Sequence, residues 1–113
     1  PSVSELIARA ERLDAAATGE EQRADGAERR ADILANRAKI LQRQASLASM
    51  TERAELAGVI EELVARVQQA RSDAADGRAR ASAFRAEARG LRRQVELARG
   101  GGGGGWRKRP IEG

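Results

Sequence analysis

The chain has 113 residues, of which 34% are charged, 41% hydrophobic and only 2% aromatic, with a net charge of +4. That balance belongs to long helices and coiled coils rather than to a globular core. Cysteine and histidine are both absent, which excludes disulfides and thiolate metal sites and removes the commonest general base. No catalytic residue, metal site, cofactor or small-molecule substrate is therefore expected.

The chain opens Pro1-Ser2-Val3-Ser4-Glu5, with neither the basic nor the apolar region of a signal peptide. No run approaches the ~18 apolar residues needed to cross a bilayer. A cytoplasmic location, or assembly from the cytoplasm into a larger particle, is the expectation, with no membrane partner. Ser2 and Glu5 form a capping box that starts a helix. From Val3 the series Leu6, Ala10, Leu13, Ala17, Glu20, Ala24, Ala27, Ala31, Leu34, Ala38, Leu41, Ala45 and Ala48 advances in alternating steps of three and four. This is a coiled-coil seam, which a partner helix must cover. Glu20 is its one charge, and a polar seam residue specifies register or oligomeric state at a cost in stability. Thr18 with Glu21 repeats the capping signal beside Gly19, so an alternative reading breaks this segment into two helices there.

Two positions beyond the seam residues Ala17, Ala24, Ala31, Ala38 and Ala45 of the same helix lie Gly19, Gly26, Ile33, Ile40 and Leu47, again every seven residues. Three large apolar side chains in one phase predict a second packing line, used by further copies of the chain or by another protein. Ser49 and Glu52 make another capping box, and the spacing predicts a turn at residues 49–51 between helices over 3–48 and 52–99. The second helix carries an uncharged seam from Leu56 through Ile60, Leu63, Val67, Ala70, Ala74, Gly77, Ala81, Phe84, Ala88, Leu91 and Val95 to Ala98.

Antiparallel pairing matches residues whose numbers add to a constant, here 101: Leu41 with Ile60, Ala24 with Gly77, Leu6 with Val95, Val3 with Ala98. Gly77 and Glu20, which falls opposite Ala81 within reach of Arg78 or Arg85, mark the register. Flanking charges agree in part, with Glu28, Glu21 and Asp14 facing Arg71, Arg78 and Arg85. On the other flank Arg30 can meet Asp73, but Arg23 faces Arg80 and Arg37 faces Arg66, leaving that side basic. The expected fold is all-α: a long antiparallel coiled-coil helical hairpin over residues 1–99, with two helices of about 45 residues or about 68 Å at 1.5 Å per residue.

Residues 100–105 are all glycine, a linker that no helix tolerates. They lead to a basic tail, residues 106–113, holding the single tryptophan. Trp106, Arg107, Lys108, Arg109 and Ile111 have the composition of a linear docking peptide on a flexible tether, since tryptophan and arginine are favoured interface anchors. Taken together, these features predict a non-catalytic structural, scaffolding or adaptor protein with protein partners and self-association, such as a component of a virion or other repetitive assembly. A nucleic-acid-binding helical module using Arg23, Arg30, Arg37, Arg66 and Arg80 is the second reading. A stalk or chaperone-like hairpin of an export machine is the third.

Overall fold

The computed structural model describes residues 1–100 and contains two helices, α1 (Val3–Ser46) and α2 (Met50–Arg99). The antiparallel helical hairpin expected from the seam is the fold. Its turn occupies residues 47–49, two residues earlier than the spacing predicts, and the capping box explains the shift. The Ser49 Oγ accepts from the Glu52 backbone N–H at 3.3 Å, while the Glu52 Oε1 accepts from the Ser49 backbone N–H at 3.2 Å. That reciprocal pair makes Ser49 the cap itself, so the helix begins at Met50 rather than at residue 52.

The other side of the turn is closed by hydrogen bonds of the tighter, three-residue kind, Leu47 N–H to the Gln44 carbonyl at 3.1 Å and Ala48 N–H to the Ala45 carbonyl at 3.3 Å. Arg53, in the first turn of α2, reaches back to the end of α1. Its Nε donates to the Ala45 carbonyl at 3.1 Å and its Nη2 to the Ala48 carbonyl at 3.5 Å. Carbonyls that α1 leaves without helical partners are thereby satisfied by a cation, the sign of charge a helix C-terminus favours.

The first capping box forms as predicted: Ser2 N–H donates to the Glu5 Oε1 at 2.8 Å, and Glu5 N–H donates to the Ser2 Oγ at 3.1 Å. The signal at Thr18 and Glu21 does not break the chain, because α1 is continuous from Val3 to Ser46. The Thr18 Oγ1 instead accepts from the Arg85 Nη2 at 3.3 Å. A hydroxyl with a partner on the facing helix is not needed as a cap, and an unbroken helix keeps the seam in phase. The alternative with a break beside Gly19 is excluded.

Packing divides the hairpin into two units. In the first, Pro1–Glu20 lies with the part of α2 from Ala79 onward. Its core is Leu6, Ala10, Ala88, Leu91 and Val95, with Val3, Ile7 and Leu13 packed against it. The expected layers Leu6 with Val95 and Ala10 with Leu91 fall in this cluster. The second unit, Glu21–Arg78, has two clusters: Ala24, Ala27 and Ala74, then Ala31, Val67 and Ala70 with Leu34 and Ala35 against them. Ala27 with Ala74 and Ala31 with Ala70 are again layers that sum to 101.

Every buried residue belongs to the predicted seam, Gly77 included, and of the predicted seam positions only Ala98 is exposed. The layer of Val3 with Ala98 is thus left open. Ten of the fifteen buried hydrophobic residues are alanines, so the helices must approach closely to exclude water. At about 0.8 kcal/mol per buried methyl group, such layers stabilise the pair modestly.

The flanking ion pairs follow the predicted register with an offset. Arg85 lies 3.6 Å from Asp14 as expected. Arg78, however, joins Asp25 at 3.1 Å and also Glu28 rather than Glu21, and Arg71 lies 3.9 Å from Asp32 rather than beside Glu28. Arg92 reaches Asp14 at 2.6 Å. Side-chain direction accounts for these three: residues on both helices lean toward their own N-terminus, so Arg71, Arg78 and Arg92 meet acids four to seven residues farther along α1 than a level pairing implies. Arg85 keeps its level partner, and on the other flank Arg9 meets Glu87 at 2.8 Å with the opposite displacement. Glu28 first, and then Asp25, raises the pKa of Arg78 above its ordinary value. On the other flank Asp73 accepts from the Gln69 Nε2 at 2.9 Å, not from Arg30, and Arg66 pairs with Glu62 one turn away at 2.8 Å.

Hydrogen bonds from the backbone and hydroxyl of Ser2 hold the Glu5 carboxyl below the usual carboxylate range, and those of Ser49 do the same for Glu52. A carboxylate with a depressed folded pKa contributes stability above its unfolded pKa and loses it as pH falls through the folded value. The doubly substituted Glu5→Ala, Glu52→Ala chain should melt below the unsubstituted chain at pH 7. The gap should narrow progressively below about pH 4.5, as read by circular dichroism across a pH series.

Gly58 and Gly90 sit inside α2, where a Cβ would meet nothing within 4 Å at residue 58 and only the Arg93 Nη2 at 3.7 Å at residue 90. Gly58→Ala and Gly90→Ala should each stabilise the hairpin by about 0.5 to 1 kcal/mol. Urea titration of each variant measures this.

Candidate functional site

The three large apolar residues predicted to form a second line are exposed: Ile33 by 65%, Ile40 by 51% and Leu47 by 90%. Ile33 and Ile40 lie on α1, and Leu47 is the first residue of the turn, where α1 has just ended. They point away from the seam because the c position of a heptad lies nearly opposite the a and d positions. Gly26 continues the line and is half-buried. A Cβ there would meet only guanidinium ends, Arg30 Nη1 at 3.7 Å and Arg29 Nη2 at 3.8 Å. Among the described residues nothing covers the line.

Its border is basic. Arg29 and Arg43 stand on one side and Arg30 and Arg37 on the other, and all four are exposed. The sequence reading treated such arginines as one basic surface, but the structure sorts them. Arg9, Arg66, Arg71, Arg78, Arg80, Arg85 and Arg92 each pair with an acid. Among the described residues the arginines beside the apolar line make no ion pair.

Glu20 has a partner that level pairing does not suggest. Its side chain is 14% exposed, and its Oε1 accepts from the Arg80 Nη2 at 3.1 Å. Arg80 belongs to the flank predicted to be left basic, and Glu20 offsets one of its charges. Glu20 keeps its seam position on α1 with its side chain largely shielded, while the Arg80 that meets it is about half exposed. Gly77 lies buried in α2 at its predicted seam position. Trp106, Arg107, Lys108, Arg109 and Ile111, and residues 101–105 of the linker, lie outside the described residues.

Two features escaped the sequence reading. Arg53 has no periodic signature, although its place one residue after a capping box and eight after Ala45 was a usable hint. Val59, 48% exposed on α2, lies off the seven-residue phase that revealed the line on α1.

Grooves on the surface are open troughs. One is lined by Ile7, Arg92, Arg93, Val95, Glu96 and Arg99, and another, beside the turn, by Gln44, Leu47, Ala48, Glu52, Glu55 and Leu56. Among the described residues no group of three or more acidic side chains could hold a metal ion, and no helix is long and apolar enough to cross a membrane. The chain matches no known protein-family model, no curated protein and no solved structure.

In the Glu20–Arg80 pair the arginine is about half exposed and the carboxylate largely shielded, and ion pairs open to solvent on one side contribute about 0 to 1 kcal/mol. A leucine at that position would bury more apolar area against Ala81. Glu20→Leu should therefore raise stability by roughly 1 kcal/mol, seen as a higher melting midpoint. A lower midpoint would show that the seam needs this carboxylate.

Proposed function

We propose that this chain is a non-catalytic structural or adaptor protein, a coiled-coil hairpin that packs into a larger assembly through the apolar line on α1. The observation that carries this reading is the exposure of Ile33, Ile40 and Leu47 in a single phase. Apolar side chains aligned along a helix, with no groove among the described residues to receive them, are what a helix-packing interface requires. The tail from Trp106 to Ile111 serves as a second anchor, tethered by the glycines. A virion or another repetitive particle is a setting that uses such parts together.

The nucleic-acid reading is less well supported. A duplex or single strand is held by cations available to phosphates, whereas Arg66 and Arg80 of the proposed set are joined to Glu62 and Glu20. The remaining arginines, Arg30 and Arg37 among them, border an apolar line, an arrangement better suited to a protein surface.

Replacing Ile33, Ile40 and Leu47 together by serine should leave helicity unchanged, because none of the three contributes to the seam. Association of the full chain, followed by light scattering with and without its native lysate, should fall. Deleting residues 100–113 should also leave melting unchanged and weaken association. Trp106→Ala should act about equally at low and high salt, while Arg107→Ala should lose its effect as salt screens the charge. Association that persists in the serine variant would overturn the assignment of this face.

A further inference from the structure

The border of the apolar line says what should cover it. From residue 29 to residue 47 α1 carries five cations against one acid, Asp32. Arg29, Arg30, Arg37 and Arg43 find no acid among the described residues. A covering surface without acids would leave these guanidiniums unpaired, and a basic one would be repelled.

A surface of the reciprocal character lies on the same packing unit. On α2, Gly58, Ala65 and Ser72 recur every seven residues and are exposed, with exposed Val59 beside them. A Cβ built on Gly58 meets nothing within 4 Å, so this face is open to a neighbouring backbone. Glu55 and Glu62 border it on one side and Glu61 on the other. Residues 55–62 hold three acids and no cation. Glu55 and Glu61 make no ion pair among the described residues. Both faces extend over fourteen residues, about 21 Å of helix, so large side chains on one match small ones on the other over equal lengths.

We propose that the face of Ile33, Ile40 and Leu47 docks on the face of Gly58, Ala65 and Ser72 in a second copy of this chain. The proposal rests on reading the α1 line as an association surface, and it adds the mate. Both faces point away from the seam, so one hairpin cannot join its own. The contact is heterologous: a pair of copies keeps one unused face of each kind, and assembly continues with concentration or closes as a ring. The faces involve fewer residues than the 20 to 30 a side of standard interfaces. Association is accordingly weak and concentration-dependent.

Two variants of the full chain test this by sedimentation velocity, with circular dichroism confirming equal helicity. Ile33→Ser with Ile40→Ser removes the α1 face only, and Ala65→Arg places a cation on the α2 face only. The unsubstituted chain should rise above its 12.1 kDa monomer mass as concentration increases, less so at high salt. Each variant alone should stay monomeric, and an equimolar mixture should form a 1:1 heterodimer, because each supplies the face the other lacks. Self-association of the Ala65→Arg chain equal to that of the unsubstituted chain would overturn the proposal, as would a mixture that stays monomeric. An unsubstituted chain that remains monomeric yet sediments with anionic vesicles would assign the line to a membrane surface and also overturn it. A monomeric chain whose lysate association still depends on Ile33 and Ile40 would defeat the second-copy assignment while leaving the adaptor reading intact.

Discussion

Close approach of two helices through alanine is the constraint on which the rest of this structure depends. A seam in which ten of fifteen buried hydrophobic residues are alanines brings backbones together but buries little apolar area per layer. It also lacks the knobs of unequal size that fix register in leucine-rich coiled coils. Register must then come from elsewhere. The larger residues Leu6, Leu91 and Val95 supply shape in one unit and Val67 with Leu34 in the other, while the arginine pairs on the flank add direction. None of these ion pairs is strong alone, being exposed. Spread along the hairpin, they nonetheless penalise a slipped alignment at several points together.

The same weakness makes the termini of the helices important. Both N-termini are closed by reciprocal serine and glutamate caps, and the C-terminus of α1 is held by Arg53. In a protein with a thick core such contacts would be minor. Here they satisfy backbone groups that no tertiary layer covers, and they fix where the chain reverses.

The hairpin and its register were legible in the sequence because heptad phase is a one-dimensional property. Fourteen positions on α1 and thirteen on α2 could be aligned without knowing a single contact. Heptad spacing alone puts the turn two residues late, because the boundary is set by the geometry of the capping box, with Ser49 outside the helix and Glu52 three residues in. Glu28 and Arg71 were paired on level positions, whereas side chains on antiparallel helices lean past one another. Glu20 stands out in the sequence as the one charge in the seam, but its contact with Arg80 depends on the rotation of a single side chain, which periodicity does not encode. The line of Ile33, Ile40 and Leu47 was legible for the same reason as the seam. Its unpaired basic border was not, because the sequence alone does not say which arginines find acids.

The constant sum of paired residues has a bearing on how a chain of this kind changes length. Removing residues from one helix alone slides every layer beyond the cut out of phase, and a cut that is not a multiple of seven also turns seam positions outward. A matched pair of seven-residue deletions, such as 24–30 with 71–77, removes two full layers and joins the remaining ones in their original partnership. Hairpin length is therefore quantised in steps of about 10 Å. The alanine-lined stretch, where consecutive layers are interchangeable, is where such steps disturb packing least.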